Sequence, residues 1–370
     1  MRIVHVVPKP PYQGGLETFA ALLCEQLAER GHGVTWYCLN KSLHTTSKKR
    51  SQKGVLIKEF KPLFEDPFYF PPLNFITELR QEDVDIIHIH NLHTLLPVLA
   101  PIFRKDFSAK IVLQPHYHVH GQNFVRDASF FIYTKLLKLM IFKHFSVIVT
   151  NSIFEQTAFM KDFPEVSARV VLIPEEYSID IPPNVTWNPT NHPKKILYVG
   201  ALKKYKNVET LIRAFKILVP KSNNLELIIV GEGEQKEELT KLAANLGVDN
   251  RIVWKSELTY NELLNEYTEA SVVVNLSELE SFSRVVHEAM AIGTPLVVYN
   301  HGALGPLVGE GLAKGANHLD PEKIAEDIDS VINNRWKPKS PDLHLKSETY
   351  VGSIEKLYRN LLLKYNNTNP

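Results

Sequence analysis

Residues 271–299 read SVVVNLSELESFSRVVHEAMAIGTPLVVY, which is a strand, a polar loop, a helix and a second strand in succession. The runs SVVVN and PLVVY are apolar and have the length of buried strands. The intervening segment places apolar residues beside Glu288, as expected for a partly buried helix. Two strands joined by a helical crossover pair in parallel, so this stretch predicts a parallel sheet covered by helices.

The same alternation of strand and helix extends through both halves of the chain. Apolar runs of strand length occur near residues 3–7, 34–39, 55–60, 85–90, 110–114, 146–150 and 169–173, and again near 195–200, 225–231 and 251–254. Residues 174–193 interrupt the alternation with a series of prolines. We therefore predict an α/β protein of two tandem Rossmann-like, doubly wound domains, residues 1–183 and 194–345, with a ligand-binding interdomain cleft at the strand ends.

Composition narrows the function classes. The 370 residues carry 42 Lys and Arg against 41 Asp and Glu, so no broad basic face is available for nucleic acid. Cys24 and Cys38 are too few for a disulfide framework and lack metal-site spacing, which is typical of a reducing compartment. The chain shows neither a signal peptide at its start nor a run of 18 apolar residues. We expect a cytoplasmic protein.

Residues 130–145, FFIYTKLLKLMIFKHF, are the most apolar long segment. Lys135, Lys138 and Lys143 interrupt it, so it is too polar to span a bilayer. One interpretation is a helix with a single buried face. The other is a helix that presents a basic, apolar surface to a membrane, which predicts a peripheral location on its inner face.

The first loop between a strand and a helix contains Gly14 and Gly15 directly before the helix. Glycines there allow close backbone approach and leave N–H groups at the helix N-terminus, which favour an anion such as phosphate. The alternative is an ordinary glycine turn in which Glu17 opposes the helix dipole.

Two loops of the second half also follow strands. Lys203, Lys204 and Lys206 form a basic loop that either neutralises a diphosphate or is simply solvated. Gly231-Glu232-Gly233 resembles a dinucleotide fingerprint, but Lys236 stands where the third glycine belongs and two acids would repel a pyrophosphate. We therefore reject NAD binding at this loop.

The loop at residues 277–283 and the helix after it contain two carboxylates, Glu280 and Glu288. Such carboxylates accept hydrogen bonds from a diol, while N–H groups near residues 282–284 would meet a phosphate at the helix start. The alternative is a pair of surface acids near a helix N-terminus. Apolar neighbours make that alternative weaker for Glu288 than for Glu280.

Histidines concentrate in the first half, in two groups that follow strand ends: His88, His90 and His93, and His116, His118 and His120. A His-x-His pair can chelate zinc, but no acidic residue is spaced to support such a site. We therefore predict no metal site. His116, directly after a strand, is the stronger candidate as a hydrogen-bonding group facing a ligand.

These segments together resemble the retaining glycosyltransferases of family 4, which have the GT-B fold. The resemblance covers most of the chain and is carried by GGLE with LCEQLAERGHGV, DIIHIHN, VLQPHYH, GALKKYKNVETLIRAF, GEGEQKEELTKLAANLGVDNRIVW and, most specifically, SELESFSRVVHEAMAIGTPLV. It implies that residues 346–370 form a final helix that packs back on the first domain.

The resemblance also implies site residues. The implied catalytic residues are His116, Lys206 and Glu280. The implied donor-binding residues are Gly14, Gly15, Lys206, Ser281, Phe282, Ser283 and Glu288. In these roles Glu288 holds the ribose hydroxyls, Glu280 contacts the transferred sugar, Lys206 neutralises the diphosphate and His116 faces the sugar near its anomeric carbon.

The chain departs from the family pattern at four places. Ala201 stands where the family usually has the arginine that is paired with the lysine at 206. Asn207 and Ser283 stand where glycine is usual. Residues 174–177, PEEY, replace the usual Pro-Asn-Gly.

The predicted reaction moves a hexosyl group from a UDP- or GDP-sugar to a hydroxyl of a glycan or lipid-linked acceptor, with retention and without a metal. Two alternatives remain: another GT-B enzyme, such as a sugar-nucleotide epimerase or a phosphorylase, and a non-catalytic subunit that binds sugar nucleotides. An epimerase would convert the donor in the absence of an acceptor, whereas a transferase would only hydrolyse it slowly. A non-catalytic subunit would bind the sugar nucleotide but give no turnover with any acceptor.

Overall fold

The computed structural model describes residues 1–64, 69–102, 109–117, 141–175, 181–182, 184–189, 193–222, 224–339 and 350–366. The chain separates into two units. The first comprises Met1–Ser178 together with Glu348–Pro370, and the second comprises Ile179–Ser347.

The first unit contains an eight-stranded sheet in the order β3-β4-β2-β1-β5-β6-β7-β8. Its strands are β1 (Arg2–Val7), β2 (Gly33–Leu39), β3 (Ser47–Gln52), β4 (Val55–Phe60), β5 (Ile86–His90), β6 (Lys110–Gln114), β7 (Val147–Thr150) and β8 (Val170–Leu172). The edge strand β3 is antiparallel to β4, and the other pairings are parallel. The central strands are apolar because both faces of the sheet are covered.

Four helices of the first unit lie within the described residues: α1 (Gly15–Glu29), α2 (Leu73–Arg80), α3 (Ile153–Asp162) and, at the end of the chain, α10 (Tyr350–Asn366). Helix α10 buries Tyr350, Ile354 and Tyr358 in the same apolar cluster as Phe19 of α1. The last helix of the chain therefore forms part of the core of the first unit.

The second unit contains a six-stranded sheet in the order β11-β10-β9-β12-β13-β14, parallel throughout. Its strands are β9 (Lys194–Val199), β10 (Leu225–Val230), β11 (Ile252–Lys255), β12 (Val272–Asn275), β13 (Leu296–Tyr299) and β14 (Lys314–Ala316). Its helices are α4 (Val208–Leu218), α5 (Lys236–Asn245), α6 (Tyr260–Glu269), α7 (Arg284–Ile292), α8 (Gly305–Gly309) and α9 (Pro321–Ile332).

Local sequence explains where these helices form. Helix α4 buries Val208, Leu211, Ile212 and Phe215, which share one face at a spacing of three and four residues. Helix α6 begins with a capping box, in which the side chain of Thr259 and that of Glu262 each accept from the other residue's backbone N–H.

The predicted α/β architecture with parallel sheets is confirmed, and two local expectations need comment. Strand β3 was not predicted, because SKKRSQ is polar and lacks the apolar run of a buried strand. The predicted helix at residues 130–145 falls mostly outside the described residues, and only Phe142–His144 forms a short 3₁₀ turn there. No helix in the described part of the chain has the length and apolarity to cross a membrane.

A buried carboxylate fixes the ends of β6 and β7. Glu155, on α3, accepts hydrogen bonds from the backbone N–H of Tyr117 at 2.6 Å and of Asn151 at 2.7 Å. Its side chain is fully buried. Burial raises the pKa of Glu155 to about 7, although the two N–H donors act in the opposite direction. Glu155 thereby holds together the two loops that contain His116 and Asn151.

Glu155 gives a testable pH dependence. Because its pKa in the folded state (about 7) lies above its ordinary value of 4.5, folding favours the protonated form. The stability that protonated Glu155 contributes is fully present below pH 4.5 and is lost as the pH rises through 7. The free energy of unfolding of the wild type relative to Glu155→Gln is expected to fall by about 3 kcal/mol over this range, measured by urea denaturation. Glu165→Gln, at an exposed glutamate, serves as control, and a pH-independent difference for Glu155→Gln would contradict this account.

Candidate functional site

The strand order of each sheet indicates at which strand ends a ligand is expected to bind. In a doubly wound sheet, ligands bind outside the carboxyl ends of the strands at the point where strand order reverses. In the first unit this point lies between β1 and β5, and in the second between β9 and β12. The predicted site residues follow these strands or their neighbours: Gly14 and Gly15 after β1, His116 after β6, Lys206 after β9 and Glu280 after β12.

In the second unit, the two loops at the reversal point are joined by an ion pair. The Lys206 ammonium donates to Glu280 Oε1 at 2.6 Å, and both side chains are largely buried. Burial lowers the pKa of Lys206, but the Glu280 carboxylate and Tyr205 outweigh this effect and raise the net pKa above its usual value. Lys206 is therefore a fixed positive charge at physiological pH.

Backbone and amide contacts hold these two loops together. The N–H of Glu278 donates to the carbonyl of Tyr205 at 3.0 Å, and the amide of Asn207 donates to the carbonyl of Leu276 at 3.1 Å. The amide of Asn275 donates to Ser283 Oγ at 3.0 Å. The ion pair thus lies on a preformed frame.

Two residues that replace family glycines adopt the left-handed conformation. Asn207 has φ 55° and Ser283 has φ 73°. Glycine enters this region at no steric cost, and asparagine tolerates it better than most residues. These positive φ angles are consistent with a preference for glycine at both positions.

Glu288 lies one turn into α7 and is almost fully buried. Its Oε1 accepts from Arg284 Nε at 2.8 Å and its Oε2 from the Tyr267 hydroxyl at 3.1 Å, and Tyr260 also contacts it. Burial raises the pKa of Glu288 above its usual value, against the opposing effect of Arg284 and the two tyrosines. The carboxylate is oriented by its neighbours rather than solvated as a surface acid.

The start of α7 is shaped by Phe282 and Ser283. The Phe282 ring stacks on His287 with centroids 3.9 Å apart, and His287 Nδ1 contacts the Ser283 carbonyl oxygen at 3.0 Å. Ser283 makes no side-chain capping hydrogen bond to α7 within the described residues, and its hydroxyl accepts from Asn275. Ser281 precedes this turn and has partners of its own.

The Gly231-Glu232-Gly233 loop has a packing role. A Cβ at Gly231 would overlap the carbonyl oxygen of Gly200, and one at Gly233 would overlap that of Leu202. The N–H of Leu202 also donates to the carbonyl of Glu232 at 2.9 Å. The two glycines allow the loop after β10 to pack directly on the loop after β9.

In the first unit, Gly14 and Gly15 stand at the start of α1. Gly14 is extended and its carbonyl accepts from the N–H of Thr18 at 2.9 Å. A Cβ at Gly14 would collide with the Glu17 carboxylate, whereas one at Gly15 would meet no atom within 4 Å. The backbone is thus open at Gly15, and the buried Glu17 side chain lies over Gly14.

His116 has the left-handed φ of 47° and is partly buried. Its Nδ1 lies 3.2 Å from the amide nitrogen of Asn151, and its Nε2 lies 3.4 Å from His90 Nδ1. Burial lowers the pKa of His116 to about 3, so the ring is neutral. A strained backbone at a side chain with two fixed partners is typical of a functional position.

The histidine group that the structure brings together is not one of the groups read from spacing. His5 on β1 pairs in register with His88 on β5, and the ring nitrogens of His5, His88 and His90 lie within 4.8 Å of one another. His118 and His120 lie outside the described residues, and His93 stacks instead on Tyr117. The proximity of His5 follows from strand register, which spacing along the chain does not contain.

The nine predicted residues therefore fall into two sets, each within one unit. Lys206, Glu280, Ser281, Phe282, Ser283 and Glu288 belong to the second unit, and Gly14, Gly15 and His116 to the first. Sequence reasoning missed Arg284 and Tyr267 as partners of Glu288, and Asn151 and His90 as partners of His116. Only Arg284 carried a signal, since it is four residues from Glu288 on one helix face.

Comparison with protein families matches each unit separately. Residues 13–175 match the model described as Glycosyltransferase Family 4, and residues 186–344 match the model described as Glycosyl transferases group 1. The second match includes every predicted residue of the second unit, from Lys206 to Glu288.

Relatives match along nearly the whole chain. An uncharacterized glycosyltransferase of Methanocaldococcus jannaschii is 27% identical over 88% of this chain and 87% of its own length. The N-acetyl-alpha-D-glucosaminyl L-malate synthase of Bacillus anthracis is 23% identical over 95% of both chains.

A solved structure has the same architecture. Anabaena HepE, in complex with UDP-glucose, superposes with a TM-score of 0.69 at 16% identity, covering 99% of this chain and 97% of HepE. The two matched models, the relatives and the fold agree, and the chain belongs to the glycosyl transferases group 1 family, with the GT-B fold.

Proposed function

We propose that this glycosyltransferase moves a hexosyl group from a UDP- or GDP-sugar to a hydroxyl of a glycan or lipid-linked acceptor, with retention at the anomeric carbon. The observation that carries the proposal is the Lys206–Glu280 contact of 2.6 Å at the reversal point of the second sheet. It brings a fixed cation and a carboxylate together where a doubly wound sheet binds its ligand.

The two members of this pair have separate partners in a donor. The diphosphate competes with Glu280 for the Lys206 ammonium, because a phosphate oxygen is also an anionic acceptor. Glu280, released from Lys206, accepts hydrogen bonds from hydroxyls of the transferred sugar. The ion pair therefore holds both groups in place before the donor arrives.

The chemistry requires charge stabilisation at the leaving group. The acceptor oxygen forms a bond to the anomeric carbon, the bond from that carbon to the diphosphate breaks, and the acceptor proton passes to the departing diphosphate. Negative charge grows on the leaving oxygen, and Lys206 with the backbone N–H groups around Ser281, Phe282 and Ser283 stabilises it. In this proposal those groups suffice and no divalent cation takes part.

Glu288 takes the nucleotide end of the donor. Its carboxylate is oriented by Arg284, Tyr267 and Tyr260 and retains one of about four lone-pair sites for a ribose hydroxyl. HepE, whose structure contains UDP-glucose, shares the fold and supports a uridine diphosphate donor. Gly14, Gly15 and His116 of the first unit are proposed to act on the diphosphate and the sugar, as the family resemblance implies.

The proposed function is tested by a screen of donors. One of UDP, GDP and ADP is expected to raise the melting temperature of the protein, because a ligand that binds the native state stabilises it. The corresponding sugar nucleotide, incubated with a glycan or lipid-linked acceptor, should give a product with the anomeric configuration of the donor. Conversion of the donor without acceptor would support an epimerase, and binding without turnover would support a subunit that only binds sugar nucleotides.

Replacing Glu288 tests the nucleotide role. Glu288→Gln keeps the shape but removes the charge that accepts the ribose hydroxyls, so the nucleotide Kd is expected to rise about 10- to 100-fold by calorimetry. Glu278→Gln, at an exposed acid near the same loop, is the control and should leave Kd unchanged. Equal affinities for the wild type and Glu288→Gln would exclude Glu288 from the nucleotide site.

Replacing Lys206 tests the leaving-group role. Lys206→Met keeps the length of the side chain and removes its charge, so kcat is expected to fall about 100-fold, with a smaller change in the donor KM, because leaving-group charge is greatest in the transition state. Lys216→Met, at an exposed lysine of α4, is the control and should retain wild-type kcat. A Lys206→Met variant with full kcat and only a raised KM would contradict the role.

A further inference from the structure

Three histidines of the first unit form a line of contacts that begins at the candidate site. His116 Nε2 lies 3.4 Å from His90 Nδ1, and His90 Nε2 lies 3.0 Å from His5 Nδ1. His90 and His5 are fully buried, and burial holds the pKa of all three rings well below the usual range. Each neutral ring carries one N–H and one lone pair, so every contact in the line has a direction.

The direction is set at the other nitrogen of His116. The amide nitrogen of Asn151 lies 3.2 Å from His116 Nδ1 and donates to Glu175 Oε2 at 3.1 Å. Glu175 is buried, and its Oε2 accepts this hydrogen bond. The Asn151 amide nitrogen must therefore face Glu175, and it presents its second hydrogen to His116 Nδ1.

The opposite orientation of the Asn151 amide is disfavoured by Glu175. Gln114 donates to Asn151 Oδ1 and to the Tyr350 hydroxyl, and its Oε1 has no hydrogen-bond partner among the described residues. Gln114 and Asn151 could therefore turn together and keep a hydrogen bond, provided that the Tyr350 hydroxyl then donates to Gln114. That rearrangement would point Asn151 Oδ1 at the Glu175 carboxylate, oxygen against oxygen. The carboxylate therefore favours the orientation in which the Asn151 nitrogen faces it.

The proton positions then follow along the line. His116 accepts at Nδ1 and carries its hydrogen on Nε2, which donates to His90 Nδ1. His90 in turn carries its hydrogen on Nε2 and donates to His5 Nδ1, which leaves the hydrogen of His5 on Nε2. That atom is buried and has no hydrogen-bond partner among the described residues, a cost that the contact of Asn151 with Glu175 has to outweigh.

We propose that Glu175 is a positioning residue that, acting through Asn151, fixes His116 as the Nε2–H tautomer and holds its ring in one orientation. This inference rests on the proposed function, in which His116 faces the transferred sugar. Glu175 occupies the segment where the family usually has Pro-Asn-Gly, and an asparagine amide there could present either a donor or an acceptor. The carboxylate of this chain removes that ambiguity.

The test measures the tautomer of His116 directly and does not require an activity assay. Ring ¹⁵N NMR of histidine-labelled protein, with the His116 signals assigned by their loss in His116→Asn, distinguishes Nε2–H from Nδ1–H. The wild type is expected to show His116 as Nε2–H. Glu175→Gln, which has the same shape but can donate or accept, should populate both tautomers, and Glu175→Met should do the same. Glu165→Gln, at an exposed glutamate, should keep the wild-type signals.

Two outcomes would overturn the proposal: a wild-type His116 with its hydrogen on Nδ1, or Glu175 variants that keep the Nε2–H tautomer unchanged. If neither Glu175 variant folds, Glu175 has a structural role only and the proposal is likewise rejected. In the transferase assay, Glu175→Gln is expected to lower kcat several-fold with little change in donor KM. Because the NMR result needs no substrate, failure of this inference and failure of the proposed function are distinguishable.

Discussion

The ion pair between Lys206 and Glu280 is the interaction on which the functional interpretation depends. It links the loops after β9 and β12, the two strands between which the order of the second sheet reverses. A largely buried ammonium is costly unless a partner compensates its lost hydration, and Glu280 supplies that partner. The pair therefore keeps a positive charge oriented and partly desolvated, the state in which it stabilises a departing diphosphate most strongly.

The candidate residues of the two units differ in charge. The candidate residues of the second unit are charged and paired, with Lys206 on Glu280 and Arg284 on Glu288. The first unit instead presents a line of neutral imidazoles behind His116, and Glu175 contacts His116 through the amide of Asn151. In the proposed reaction, charge stabilisation belongs to the second unit, while the first unit contributes the neutral ring of His116, held in one orientation by the hydrogen bonds of its two nitrogens within that unit.

The sequence predicted the parallel α/β sheets and the strand ends that carry the candidate residues, because buried strands and amphipathic helices leave clear periodic signals. Contacts that depend on the register between strands left no such signal in the sequence. The proximity of His5 to His88 and the fixing of both His116 ring nitrogens depend on strands far apart in the chain. The polar edge strand β3 was missed for a related reason, since its structure comes from pairing with β4 rather than from burial. The left-handed φ of Ser283 was likewise not predictable, since serine rarely adopts this conformation.

The most direct test of the central claim is a crystal structure of the protein with a bound UDP- or GDP-sugar. The account predicts the diphosphate at the carboxyl ends of β9 and β12, with Lys206 Nζ moved from Glu280 to a phosphate oxygen and the ribose on Glu288. A nucleotide bound elsewhere, with the Lys206–Glu280 pair still intact, would contradict it.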